Sequence, residues 1–150
     1  MYKKYIFPIL NIATLCIIIF VVSIFFIYKS ETIGFVLIVL SFLCLIPLFF
    51  SKTRIKSIIP DIIFGIIDNG VLVIFSVFGG EIAGVAGAVI GGAVGNAITD
   101  GIAGMFEGYS AEKLRLENVE EERTILGSAI GKMAGCLLGA GVVLTAVGFF

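Results

Sequence analysis

Of the 150 residues in this chain, 59% are hydrophobic and only 14% are charged, with a mean hydropathy of +1.18. That balance lies outside the range of soluble domains and predicts a single, all-α integral membrane domain. A net charge of −1 argues against nucleic acid as a partner, and the absence of histidine removes the commonest metal ligand and the easiest near-neutral proton carrier.

The first predicted span covers about 5–28. Lys3 and Lys4 precede an apolar run of more than twenty residues that includes IIIFVVSIFFIY. A signal peptide has a shorter apolar region and a small-residue cleavage site, so this segment reads as a retained transmembrane helix. A polar turn from Lys29 to Thr32 leads into a second span, about 33–50, with Pro47 near its end where a helix tolerates it. Neither span carries a charge inside it. Both read as lipid-facing scaffold. Cys16 and Cys44, like Cys136 further on, sit in apolar spans without close spacing, which suits small packing residues rather than disulfides or metal ligands.

Lys52, Arg54 and Lys56 mark a membrane end, and the third span, about 58–78, differs in kind from the first two. Asp61, Gly65 and Asp68 form an i, i+4, i+7 stripe, and Asn69 adjoins Asp68. Asp68 lies about ten residues, or roughly 15 Å, into that helix. Gly79, Gly80 and Glu81 are expected to turn the chain into a fourth span, about 82–106, built mostly of Gly, Ala, Val and Ile. Gly80, Gly84, Gly87, Gly91 and Gly95 share one helical face, while Asn96, Asp100 and Glu107 fall roughly opposite. In lipid, small residues at four-residue spacing let a neighbouring backbone approach, and a carboxylate usually faces protein or water. Both faces therefore want neighbours.

From Glu107 to Thr124 the chain turns polar, setting Glu107, Glu112, Glu117, Glu120, Glu121 and Glu122 against Lys113, Arg115 and Arg123. A solvated, helical cytoplasmic connector explains this composition, and so does a cation-attracting entrance. A fifth span, about 125–149, places Gly127, Gly131, Gly135 and Gly139 at four-residue spacing, with Lys132 about two turns in. Lys3, Lys4, Lys52, Arg54, Lys56, Lys113, Arg115 and Arg123 then fall on one side of the membrane and Lys29 on the other. That asymmetry puts the N-terminus in the cytoplasm and the C-terminus outside. The two leading helices form a scaffold (1–57) and the last three a glycine-rich core (58–150).

Polar side chains gather in that core: Asp68 and Asn69, then Asn96 and Asp100, then Lys132. Hard oxygen ligands suit divalent cations, and the thioether of Met105 would favour a softer transition metal. The alternative is that Asp68 or Asp100 pairs with Lys132 and locks the bundle. No nucleophile, base and orienting group occur together, and no phosphate loop or zinc motif appears, so neither an enzyme nor a resident cofactor is expected.

The order DIIFGIIDNGVLVIFSVFGG, then GNAITDGIAGMFEGYSAEKLR, then a Glu-rich segment and a further glycine-rich helix resembles the vacuolar iron transporter family over about 58–149. The resemblance sets Asp61 to Gly65 and Asp68-Asn69-Gly70 where that family has its membrane-embedded acid. It matches Asn96, Asp100 and the Tyr109-Ser110 pair to the family's second motif. It implies that Glu112, Glu117, Glu120, Glu121 and Glu122 stand in for its cytoplasmic carboxylates. The two leading helices lie outside the resemblance, and Lys132 is an additional charge.

These residues lead to the expectation of a divalent transition-metal transporter or binding protein, for Fe²⁺ or Mn²⁺, with the metal as substrate and lipid around it. Its ligands would be Asp68, Asn69, Asn96, Asp100 and Met105, with Glu107, Glu112 and Glu120 toward the entrance. One chain offers few polar helix faces, so a homodimer is expected, with the glycine rows of the fourth and fifth spans as a symmetric seam. A non-transporting assembly or accessory subunit held by glycine packing is the reading from a different class.

Overall fold

The computed structural model describes residues 3–26, 30–51, 53–117 and 124–148. They form five helices: α1 (Lys3–Phe26), α2 (Ser30–Cys44), α3 (Ile46–Phe50), α4 (Ile55–Leu116) and α5 (Ile125–Gly148). No strand occurs among the described residues. Among the described residues, four stretches are long and apolar enough to cross a membrane: α1, α2 continued by α3, α4 and α5. The expected second span is interrupted at Leu45, two residues before Pro47. Proline lacks the N–H that would continue the ladder, and its ring crowds the preceding turn.

A straight helix of the 62 residues in α4 would measure about 93 Å, three times the hydrocarbon core of a bilayer. Instead it doubles back. Ala83 (φ −138°, ψ 25°) and Gly84 (φ 61°, ψ −142°) leave helical geometry, separating a first arm, 55–82, from a second arm, 85–116. Only glycine takes up the Gly84 conformation without strain. The turn expected at Gly79–Glu81 therefore lies a few residues later. Gly79 serves another purpose: it stacks backbone to backbone on Gly87, and a Cβ on either would overlap the other's carbonyl. The second arm also runs on as helix to Leu116, so the start of the polar segment continues the fourth span rather than forming a separate connector.

The glycine rows are used differently from the expected seam between copies. On the second arm, Gly87, Gly91 and Gly95 meet Gly79, Phe75 and Leu72 of the first arm. On α5, Gly127, Gly131, Gly135 and Gly139 meet Ile58, Asp61, Ile62 and Ile66 of that same arm. The partners on α5 and the first arm advance together, so these two helices run parallel. Gly87, Gly91 and Gly95 of the second arm and all four α5 glycines are thus packed within one chain, whereas Gly84 forms the turn and a Cβ on Gly80 would make only ordinary contact with Ala88. The close approach of the packed glycines replaces the bulky side chains that glycine lacks with backbone-to-backbone contact.

α2 packs on α5 as well, so it is more than lipid-facing scaffold. Gly34 meets Thr145, Ile38 lies against Gly141, and the Ser41 hydroxyl donates to the Ala134 carbonyl at 2.7 Å. The buried core, Leu40, Cys44, Ile58, Leu126, Ile130 and Ala134, lies among α2, α5 and the first arm of α4. α1 is peripheral, with Phe7, Leu10, Ile17, Phe20 and Phe25 exposed.

Candidate functional site

The first arm of α4 changes partner partway along its length. Its residues 58–70 lie against the glycines of α5, whereas residues 72–79 lie against those of the second arm. Asp68 sits at this changeover, about 20 Å along the helix from Ile55 at 1.5 Å per residue. From the second arm, the Thr99 hydroxyl donates to Asp68 Oδ1 at 2.7 Å. Thr99 is completely buried and also lies 3.0 Å from the carbonyl oxygens of Gly95 and Asn96. A hydroxyl has one proton, and the short contact to a charged oxygen is the strongest of the three.

One turn away, the Asn96 amide donates to Asp100 Oδ2 at 3.0 Å. This i, i+4 pair lies on the outward face of the second arm, and Asp100 is exposed. Beyond Thr99 the second arm parts from the first. Ile102, Phe106 and Tyr109 continue its inward face yet are exposed, and a Cβ on Gly101, Gly104 or Gly108 would meet nothing within 4 Å.

The remaining expected ligands do not converge on Asp68. Asn69 is half-buried on the first arm. Met105 is 78% exposed, because a step of five residues past Asp100 turns it well away from that side chain. Glu112 is exposed at the polar end of the arm, with Tyr109. The Glu107 side chain and all of Glu120, Glu121 and Glu122 lie outside the described residues. Among the described residues, no three His, Cys, Asp or Glu side chains gather as a metal centre would require.

Among the described acids the most buried is Asp61, which is 2% exposed. Ser128 donates to its Oδ1 at 3.0 Å, and Gly131 comes within 3.0 Å (measured from an added Cβ) of the Asp61 Cβ. Ser128 is the fourth residue of α5, whose first turn is capped by Thr124: its hydroxyl accepts from the Gly127 N–H at 3.0 Å. The i, i+4, i+7 stripe marks Asp61, but its partner Ser128 and the partner of Asp68, Thr99, were missed by sequence reasoning. Both look like ordinary small residues in small-residue helices. Lys132 places its Nζ 4.4 Å from the centre of the Phe64 ring, a cation–π arrangement within the bundle.

Fold and site together define a class: an apolar helical bundle with carboxylates lodged between its helices. No family model matches the chain, and no curated protein or solved structure matches it either.

Proposed function

We propose that this chain is a multi-pass membrane protein that binds and moves a divalent transition-metal cation, Fe²⁺ or Mn²⁺, along a path beside Asp68 and Asp100. With the two arms of α4 counted separately, it crosses the membrane five times, with its N-terminus in the cytoplasm. The observation that carries the reading is the pair of donors at these acids. The Thr99 hydroxyl and the Asn96 amide that donate to Asp68 and Asp100 are neutral, so these bonds orient the carboxylates without themselves neutralising them. A carboxylate at this depth is costly in lipid and is characteristic of ion pathways. The motif resemblance over 58–149 points the same way.

Within one chain the two acids stand on different faces of the second arm, Asp68 against the inward Thr99 and Asp100 with Asn96 on the outward face, so neither is a complete coordination shell. A homodimer supplies the rest. Since most glycines of these rows are occupied within the chain, the seam falls on the outward face of the second arm, where Asp100 stands and Gly101, Gly104 and Gly108 leave room for close approach.

A second reading, a non-transporting membrane assembly, draws on the scattering of the acids and on the consumption of the glycines in internal packing. Uptake by liposomes containing the purified chain separates the two, run with Fe²⁺, Mn²⁺, Mg²⁺ and Ca²⁺. Saturable Fe²⁺ or Mn²⁺ flux is expected; no flux of any of the four favours the assembly.

A further inference from the structure

Between α3 and α4 the chain sets an apolar groove beside a basic cluster. Leu48 and Phe49 on one side and Thr53, Ile55, Ile58 and Ile62 on the other line a groove of about 250 Å³. That is below the roughly 300–1,000 Å³ of an ordinary small-molecule site. The hydroxyl of Thr53 is already engaged with Ser51 and Thr124, so the groove offers hydrocarbon to whatever enters. A polar group has nothing to bind inside it. An alkyl chain does.

The rim is the opposite. Arg54 stands between the lining residues Thr53 and Ile55, and Lys56 directly follows Ile55; both basic residues are exposed. The Arg54 backbone is extended (φ −71°, ψ 131°) where the chain enters α4, and Arg54 is exposed while its neighbours Thr53 and Ile55 line the groove. Guanidinium presents a planar fork that fits phosphate oxygens, and ammonium adds a point charge.

We propose that this groove and its rim bind an anionic phospholipid, with an acyl chain along Leu48, Ile55 and Ile62 and the phosphate against Arg54 and Lys56. An alkyl tail joined to an anion is the chemistry that satisfies both halves, and basic clusters at the cytoplasmic end of membrane helices attract such headgroups. The inference rests on the membrane reading and is independent of cation transport.

Native mass spectrometry of the full chain in detergent tests it, using phosphatidylglycerol and phosphatidylcholine with identical acyl chains. The parent retains phosphatidylglycerol in preference to phosphatidylcholine. Arg54→Gln with Lys56→Gln weakens phosphatidylglycerol binding roughly thirtyfold, at about fivefold per basic residue near an anionic surface, and leaves phosphatidylcholine unchanged. Ile55→Trp, at the exposed lip, lowers retention of both lipids. Melting curves show that each variant is folded, and Lys56→Gln alone, with a fivefold loss, replaces the double variant if that one is not. Equal retention of the two lipids by the parent overturns the proposal, as does undiminished phosphatidylglycerol binding after neutralisation. Glycerol phosphate, which lacks a tail, should not compete; displacement by it reduces the site to an anion site and also overturns the proposal. Carbonate extraction of the parent from membranes reports on the membrane reading separately.

Discussion

The hydroxyl of Thr99 is the group that fixes the Asp68 carboxylate, and its removal tests what that carboxylate is for. Thr99→Val keeps the shape of the side chain and removes the donor. Asp68 is half-buried, so losing this hydrogen bond should cost about 0.5–1.5 kcal/mol, and the variant should melt at lower temperature in detergent. Asp68→Asn keeps an oxygen for Thr99 while removing the charge, so the fold should survive and cation flux should fall to background. Asp100→Asn should behave likewise, because the Asn96 amide can still donate to its oxygen. Flux in liposomes and melting in detergent are read on each variant. Wild-type flux through Asp68→Asn would end the case for this acid as a ligand. Asp68 and Asp100 were legible in the sequence because charge is rare and expensive in apolar helices. Thr99 and Ser128 were not, because a hydroxyl on a small-residue helix ordinarily bonds its own backbone, and only the fold shows which acid it reaches.

At the scale of elements, α4 depends on one residue for its reversal and on several for its packing. Gly84→Ala forces a side chain into a positive-φ conformation, at a cost of about 1–3 kcal/mol, although no neighbour would clash with it. Gly135→Leu meets the Ile62 carbonyl instead, and Gly91→Leu meets that of Phe75. Backbone cannot yield as a flexible side chain can, so each should cost about 3 kcal/mol or more, at the upper end of overpacking. Both losses should appear in monomeric protein, as early melting and protease sensitivity. If both variants melt like the parent and only change their migration as oligomers, the glycine rows lie between chains after all. The four-residue spacing made the rows legible as packing surfaces. It could not name their partner, because the same spacing serves a neighbour in the same chain or in another copy. The position of the turn was blurred for a related reason: Gly79, Gly80 and Gly84 are all competent to turn a chain, and only contact with Gly87 shows that Gly79 is needed in the helix.

For the whole molecule, the hairpin of α4 carries an expectation about sidedness that can be tested. Its two arms return the chain to the side from which it started, so Lys56 and Glu112 should share a face of the membrane and Glu81 should lie on the other. Single cysteines at these positions, in a background with Cys16, Cys44 and Cys136 changed to alanine, report this through an impermeant thiol reagent applied to sealed vesicles. Labelling of Glu81→Cys and Glu112→Cys from the same side would contradict a hairpin that crosses twice.

The same background tests the seam. The outward face of the second arm carries an exposed carboxylate and three glycines with open space above them, a combination that lipid does not satisfy. In the proposed dimer a two-fold axis beside this face would bring the residues nearest the axis opposite their own copies, so Gly104→Cys should form a disulfide-linked dimer under mild oxidation. Phe25→Cys on the peripheral helix α1 is exposed as well, yet should stay monomeric. Collision in the membrane would link both variants alike, and a linked Phe25→Cys with an unlinked Gly104→Cys would move the seam to α1. Because Asp100 lies one turn from Gly104, a cation held between the two copies should also change the rate of linkage. Mn²⁺ added before oxidation should alter that rate in Gly104→Cys and leave it unchanged once Asp100→Asn is added. Dimer formation without any response to Mn²⁺ would keep the assembly and discard the cation from its seam.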